Sequence, residues 1–420
     1  MMEVKVGYKK TEVGVIPEDW YVILLEDLAS KIGSGITPTG GETVYKTDGR
    51  PFVRSQNIGW GRLLLDDIAF IDDEIHQTFP NTEIRLNDVF LNISGASIGR
   101  SSYADQRLVG GNVNQHVCII RTINESLNPV YLNLFLLSKN GQKQIDSFQS
   151  GGNRQGLNIG QIKTFQIPIP NRIEQTAIAT TLSDTDALIN SLEKLIAKKR
   201  NIKQGAMQNL LQPKDGWEVK KLGEIIINFQ NGYGFSAIGY VKSGIPIITM
   251  AQIGLDGSFN LDEKKVNYWN PSDFSALKNF HIKDGDLIIA MTDVTPEKNL
   301  IGRMAIVQSK QTLLLNQRVG LLRLDASKVN AYLLKTLSNM RSWRTYCIGS
   351  ASLGVQANIG TKDILNGEIM LPKIDEQNNI ATVLSDMDAE IAALETKLEK
   401  YRNIKLGMMQ NLLTGKIRLV

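Results

Sequence analysis

His116 and Cys118 stand two apart in VNQHVCIIRTI. On an extended strand both would point to one face and offer a metal a nitrogen and a sulfur. Two ligands do not make a tetrahedral zinc site, and the chain's two cysteines, Cys118 and Cys347, have no CxxC spacing. Both are expected to be buried fillers in a reducing compartment rather than metal ligands, disulfide partners or reactive thiols. The run LDEKK at 261 to 265 has the acidic and lysine types of a nuclease centre, but the first half of the chain has no matching carboxylate. A solvated loop is the expectation there. No GxxxxGK[ST], HExxH or GxSxG occurs, and GSG at 33 to 35 and GYG at 232 to 234 are too short for a dinucleotide fingerprint. The sequence therefore assigns no catalytic residue, no metal and no cofactor to this chain.

Other side chains suit recognition rather than reaction. Polar, glycine-rich stretches recur: GSGITPTGG at 33 to 41, RSQN at 54 to 57, SGGNRQG at 150 to 156, FQNGYG at 229 to 234 and TDVTPEKN at 292 to 299. Arg, Gln, Asn, Ser and Thr are the types that bond base edges and phosphates, and glycine lets a backbone approach closely. The candidate nucleic-acid contacts are Ser34, Thr37, Arg54, Gln56, Asn57, Arg100, Asn153, Arg154 and Gln155 in the first half. In the second half they are Gln230, Asn231, Tyr233, Thr292, Lys298 and Asn299. Lys198, Lys199, Arg200, Lys203, Lys400, Arg402 and Lys405 could meet phosphate or simply form a solvated helix face.

What must position these loops is written twice. RNIKQGAMQNLL at 200 to 211 returns as RNIKLGMMQNLL at 402 to 413, and residues 174 to 211 align without a gap on 376 to 413 with 24 of 38 identical. Upstream the match fades but persists: Trp20 pairs with Trp217, Leu25 with Leu222, Gly35 with Gly232, PFVRSQNIG with PIITMAQIG, and IGR, NQ and NIG with their copies. Each half is thus one repeat unit. For a duplicated enzyme the chemical residues should be best kept, whereas here the helix is.

Apolar residues at Ile178, Leu182, Thr185, Ile189, Leu192 and Ile196 alternate steps of four and three, the seam of a coiled coil. The second copy repeats the seam at Ile380, Leu384, Met387, Ile391, Leu394, Leu398 and Tyr401. Short runs before each helix, such as DVFLNISG, DGDLIIAM and RVGLLRL, read as strands joined by loops, with local helices in YLNLFLLS and YLLKTLSNM. The fold class expected is α+β: two similar α/β domains separated by an antiparallel coiled coil of two long helices, with pseudo-twofold symmetry. A helix of 38 residues would be roughly 55 Å long, so the pair is a ruler separating two similar heads.

With 420 residues, 42% hydrophobic and 21% charged, the chain can bury several cores. Its net charge of +4 permits nucleic acid without demanding it. Apolar runs such as YVILL fall far short of the roughly 20 residues of a membrane span, and MMEVKVGYKK is too charged for a signal peptide. No membrane association and a cytoplasmic location are expected.

The opening TEVGVIPEDW, the paired Trp20 and Trp217, the stretch IPIPNRIEQTAIATTLSDTDALI with its copy MLPKIDEQNNIATVLSDMDAEI, and the terminal MQNLLTGKIRL resemble the specificity (S) subunit of Type I restriction-modification systems. The resemblance covers essentially the whole chain. It implies two target recognition domains, at 18 to 170 and 213 to 372, after a lead at 1 to 17. Conserved spacer helices would fall at 171 to 212 and 373 to 414, before a tail at 415 to 420. Each domain would read half of a split double-stranded DNA target. The helices would set the gap and dock two methyltransferase (M) subunits, to which restriction (R) subunits add. S-adenosylmethionine, ATP and Mg would sit on those partners. Two rivals are a two-headed protein adaptor and a self-sufficient nuclease or methyltransferase.

Overall fold

The computed structural model describes residues 6–149, 156–262, 264–295, 297–352 and 356–419. The chain divides into two compact units, Met1–Lys194 with Glu395–Val420, and Leu195–Leu394. The division falls inside two long helices, Arg172–Leu210 and Ile374–Leu412, each of 39 residues.

In the first unit an antiparallel four-stranded sheet runs Ala29–Ser34, Val117–Thr122, Val89–Asn92, Ser101–Tyr103. A three-stranded sheet places Arg50–Val53 between Ala69–Ile71 and a parallel Asn112–Val113. Tyr21–Leu24 pairs with Gln166–Ile169 beneath the long helix. The second unit repeats the plan. Its four-stranded sheet is Ile226–Asn231, Val319–Leu324, Leu287–Ala290, Met304–Ile306, and its lower pair is Glu218–Lys221 with Glu368–Leu371. The runs read as strands in the sequence are these strands, and YLNLFLLS and YLLKTLSNM supply the helices Pro129–Leu137 and Ala331–Leu337.

Repeated glycines mark close approaches. A side chain at Gly35 would meet the Val113 carbonyl oxygen at 1.7 Å, and one at Gly232 the Asn316 oxygen at 2.2 Å. The glycine of each IGR motif, Gly99 and Gly302, has φ of +84° and +75°, a region other residues rarely adopt.

Each long helix is anchored to its unit by one buried glutamine. Gln175 accepts a hydrogen bond from the Asn128 amide (2.8 Å) and donates to the carbonyls of Ser126 (3.0 Å) and Pro170 (3.1 Å). Gln377 does the same with Asn330 (3.0 Å), Lys328 (3.0 Å) and Pro372 (2.9 Å). A buried amide with three partners fixes both the start and the direction of the helix.

The seam divides by task. Ile178 and Leu182 lie in the core of the first unit with Trp20, Leu412 and Leu413, and Ile380 and Leu384 in that of the second with Trp217 and Leu211. Ile189, Leu192, Ile196, Ile391 and Leu398 are buried outside those clusters, and Leu394 is half-buried. Within the first unit Asp186 pairs with Lys405 and Glu193 with Arg402, both at 2.6 Å, so the helix segments run antiparallel. Within the second unit Lys199 pairs with Glu390 at 2.6 Å and Lys203 with Asp388, again antiparallel. Four of the basic residues read above as phosphate contacts or a solvated face are therefore held by carboxylates of the other helix.

Candidate nucleic-acid interface

At one end of the first unit's four-stranded sheet, polar side chains gather where the strands turn. Ser34 closes its strand opposite Cys118, and the chain then crosses to Thr37, whose hydroxyl donates to Gln115. The Gln115 amide lies 3.3 Å from His116 Nε2, and His116 Nδ1 is hydrogen-bonded to Ser94 Oγ. Gly156 bridges to Ser94 at the same edge. Asn153, Arg154 and Gln155 lie outside the described residues.

Arg54 and Gln56 sit beside this edge, since Asn114 N–H donates to the Val53 carbonyl (3.0 Å) and Asn92 to that of Ser55 (2.8 Å). Both converge on Asp67: Arg54 Nη2 donates to its backbone (2.8 Å) and carboxylate (3.2 Å), and Gln56 to its carboxylate (2.6 Å). Arg54 also stacks over the Tyr45 ring at 5.4 Å. Its guanidinium is largely buried and braces two loops, whereas Gln56 is exposed. Asn57 is fully buried, accepting from Arg54 N–H (2.9 Å) and donating to the Leu64 (3.0 Å) and Asp67 (3.2 Å) carbonyls. It shapes the turn from within and offers nothing to an outside ligand. Arg100 lines a cleft of about 440 Å³ with Trp60, Arg62, Asn190 and Glu193.

The second unit builds the corresponding edge differently. Tyr233 is exposed and packs on Phe235 (4.9 Å) and Phe280 (5.2 Å), bridging to Asn316. Gln230 donates to the Asn279 carbonyl, and Asn231 accepts from Thr361 (3.3 Å). Thr292 is buried, its hydroxyl donating to Asn358 (2.8 Å), so it too is spent inside the fold. Asp293 gathers the amides of Thr295 (2.8 Å) and Leu300 (2.6 Å). Burial raises its carboxyl pKa, but those amides outweigh burial and hold it below its ordinary value. Lys298, at φ +52°, and Asn299 both give their carbonyls to Arg344, at 2.8 and 2.9 Å. Burial, with Arg303 nearby, brings the Arg344 guanidinium down to about 10.

Gln115, His116 and Gln317 belong to this edge and were not singled out as contacts. The repeated NQ was the one signal for Gln115 and Gln317, whereas His116 stood out only for its spacing to Cys118. Gln317 donates its backbone N–H to the Tyr233 carbonyl (2.9 Å), whereas Gln115 accepts from the Thr37 hydroxyl on its side-chain oxygen, so one scaffold position carries different bonds in the two units. Among the described residues no group of three or more His, Cys, Asp or Glu could hold a metal. Cys118 is buried in the core, and its thiol is pushed up to about 12 by burial. At LDEKK, Lys265 pairs with Asp262 at 3.4 Å on the surface.

Comparison with known proteins follows this duplication. The family profile of the Type I restriction modification DNA specificity domain matches twice, over residues 17–204 and 214–401. A protein of Methanocaldococcus jannaschii, provisionally named the type I restriction enzyme MjaX specificity subunit, is 27% identical over 98% of this chain and 97% of its own. The type I restriction enzyme StySPI specificity subunit of Salmonella potsdam is 22% identical over 96% and 90%. In fold, the crystal structure of a Type-I restriction-modification system S subunit from M. genitalium covers 94% of this chain and 96% of its own, with TM-score 0.59 and 16% identity. With two matches that span most of its length, the chain belongs to the Type I restriction modification DNA specificity domain family and carries two copies of that domain.

Proposed function

We propose that this chain is the non-catalytic, DNA-reading subunit of a type I restriction-modification assembly, and that each unit reads one half of a bipartite duplex target. The observation that carries this reading is the contrast within the repeat. The helix anchors Gln175 and Gln377 keep every partner, while the loop edges carry Thr37, Gln115 and His116 in one unit and Tyr233 with Phe280 in the other. A duplicated scaffold with divergent polar edges suits two readers of different sequences.

Ser34, Thr37, Gln56, Gln115 and His116 in the first unit, and Gln230, Asn231, Tyr233, Lys298 and Asn299 in the second, are the proposed base and phosphate contacts. Asn57, Arg54 and Thr292 hold the loops that present them. The helices are proposed to set the half-site spacing and to dock two methyltransferase subunits, with restriction subunits joining through these. Leu195 and Ile202, seven apart on the first long helix, and Ile404 and Leu406 on the second remain exposed, as a docking face requires. S-adenosylmethionine, ATP and Mg belong to those partners in this reading, in the cytoplasm. Among the described residues no helix is long and apolar enough to cross a membrane.

Methylation sequencing in a host carrying this chain with its methyltransferase subunit tests the proposal. Two short blocks separated by a fixed gap support it, and one contiguous motif overturns it. Salt-sensitive binding of that complex to duplex DNA separates it from a pure protein adaptor, which would release no counterions.

A further inference from the structure

The two units differ at the foot of the long helix. In the first, Trp20 is fully buried and donates its indole N–H to Glu174 at 3.2 Å. The hairpin Tyr8–Thr11 with Gly14–Pro17 covers it, burying Val13 and Ile16 in the core that also holds Trp20 and Leu413. Asn140 clamps the hairpin by donating to the Val13 carbonyl at 3.0 Å, and Val22 lies half-buried against the same core.

The second unit has no such cover among its described residues. The linker from Leu211 reaches Trp217 in six residues, leaving no length for a hairpin. Trp217 is 9% exposed, and its buried indole nitrogen has no hydrogen-bond partner among the described residues. It lines a cavity of about 440 Å³ with Leu211, Val219, Met340, Trp343 and Met370. Val219 and Met370 face each other across the strand pair and are 54% and 40% exposed. Position 219 is the repeat counterpart of Val22. Glu368 stands at the rim.

A buried donor without a partner is destabilising, and bare paired apolar side chains on a strand invite cover. We propose that this cavity is a docking site for a hairpin-like segment of a partner protein, in the place that the first unit fills with its own hairpin. The first unit's solution states the apolar part of the chemistry, two branched residues three apart entering the core; its indole is satisfied by Glu174 rather than by the hairpin, so the partner segment would add an acceptor for the Trp217 N–H and basic flanks facing Glu368. The chain's own hairpin is committed to the first unit's core and is not free to serve.

A cyclic peptide of residues 8–17, YKKTEVGVIP, is a ready probe, since Tyr8 and Pro17 already face each other across the hairpin and cyclisation reduces the ordering cost. It is titrated into the full chain carrying fluorinated tryptophan, with Trp217 assigned through Trp217→Phe among the five tryptophans. The expected result is a saturable shift of the Trp217 signal, weakened at least tenfold by the Val219→Asp, Met370→Asp double variant, with the signals of Trp20, Trp60 and Trp269, which lie outside the cavity, unmoved. A peptide carrying Val13→Asp and Ile16→Asp should not bind. No shift, a shift indifferent to the double variant, or a concentration-dependent shift without peptide, meaning that a second copy covers the site, would overturn the proposal.

Discussion

Lys405 Nζ lies 2.6 Å from Asp186 Oδ1, and in the other unit Lys203 meets Asp388, the same two repeat positions with the helices exchanged. Each unit therefore receives a lysine from one long helix and an aspartate from the other. The two pairs are not equal, because Tyr332 also donates its hydroxyl to Asp388, whereas the corresponding position in the first unit is Val130. Asp186→Ala should cost about 0.5–1 kcal/mol, the value of a half-exposed pair, and the cost should shrink in high salt. Asp388→Ala should cost about 1 kcal/mol more, since it also strips the tyrosine of its acceptor. Urea unfolding of both variants checks the order; equal losses would contradict the asymmetry.

Gln175→Ala leaves the Asn128 amide and the Ser126 and Pro170 carbonyls short of a partner at a buried site. A loss of about 2–3 kcal/mol is expected, with Gln377→Ala alike. Hydrogen exchange should show the Asn128 amide released. If either substitution is as mild as a surface change, the anchors do not hold the helices.

Gly35→Ala would drive a methyl into the Val113 carbonyl, a side chain against rigid backbone, whereas Gly33 has open space around it. Gly35→Ala and Gly232→Ala should each sharply lower the yield of folded protein, with Gly33→Ala near the unaltered chain. Thermal unfolding of the three variants separates sterics from a general intolerance of glycine replacement in these strands.

Asp19 accepts a two-point hydrogen bond from Arg418, at 2.9 and 2.8 Å, and Arg418 also grips the buried Glu174 at 2.6 Å. Those hydrogen bonds, with the guanidinium charge, outweigh burial and hold the Asp19 carboxyl below its ordinary 3.8. A depressed folded pKa contributes stability above the unfolded value and loses it as pH falls through the folded one. Asp19→Asn should therefore melt below the unaltered chain at pH 7. The gap should close as pH drops below about 4. A gap that persists there would place the effect elsewhere than in the charge.

Burial pushes both Cys118 and Cys347 up to about 12, so almost no thiolate exists at neutral pH. A thiol reagent at pH 7.5 should label neither in the native chain and both after denaturation. Rapid native labelling would contradict the packing at either site.

The repeat, the strand runs and the long helices were legible because each leaves a periodic or duplicated trace in the sequence. Gln175 and Gln377 were in view within the repeat, but a glutamine in an amphipathic pattern reads as surface until the carbonyls it reaches are placed. Arg54, Asn57 and Thr292 show the converse: a polar residue in a loop has the same letter whether it faces solvent or satisfies backbone inside. The basic residues Lys199, Lys203, Arg402 and Lys405 acquired partners only when the antiparallel register was known, because each carboxylate lies on the other helix roughly half a chain away. The clearest missed signal is NQ, written in both halves at the loop edge where Gln115 and Gln317 now stand.

On the proposed reading the two units read DNA independently. The direct measurement is methylation sequencing with the double variant Thr37→Ala, Gln115→Ala, which alters only the first unit's edge. The predicted result is a motif relaxed or changed in one block, with the other block and the gap between them untouched. A change in both blocks, or in neither while single changes at Tyr233 alter both, would contradict it.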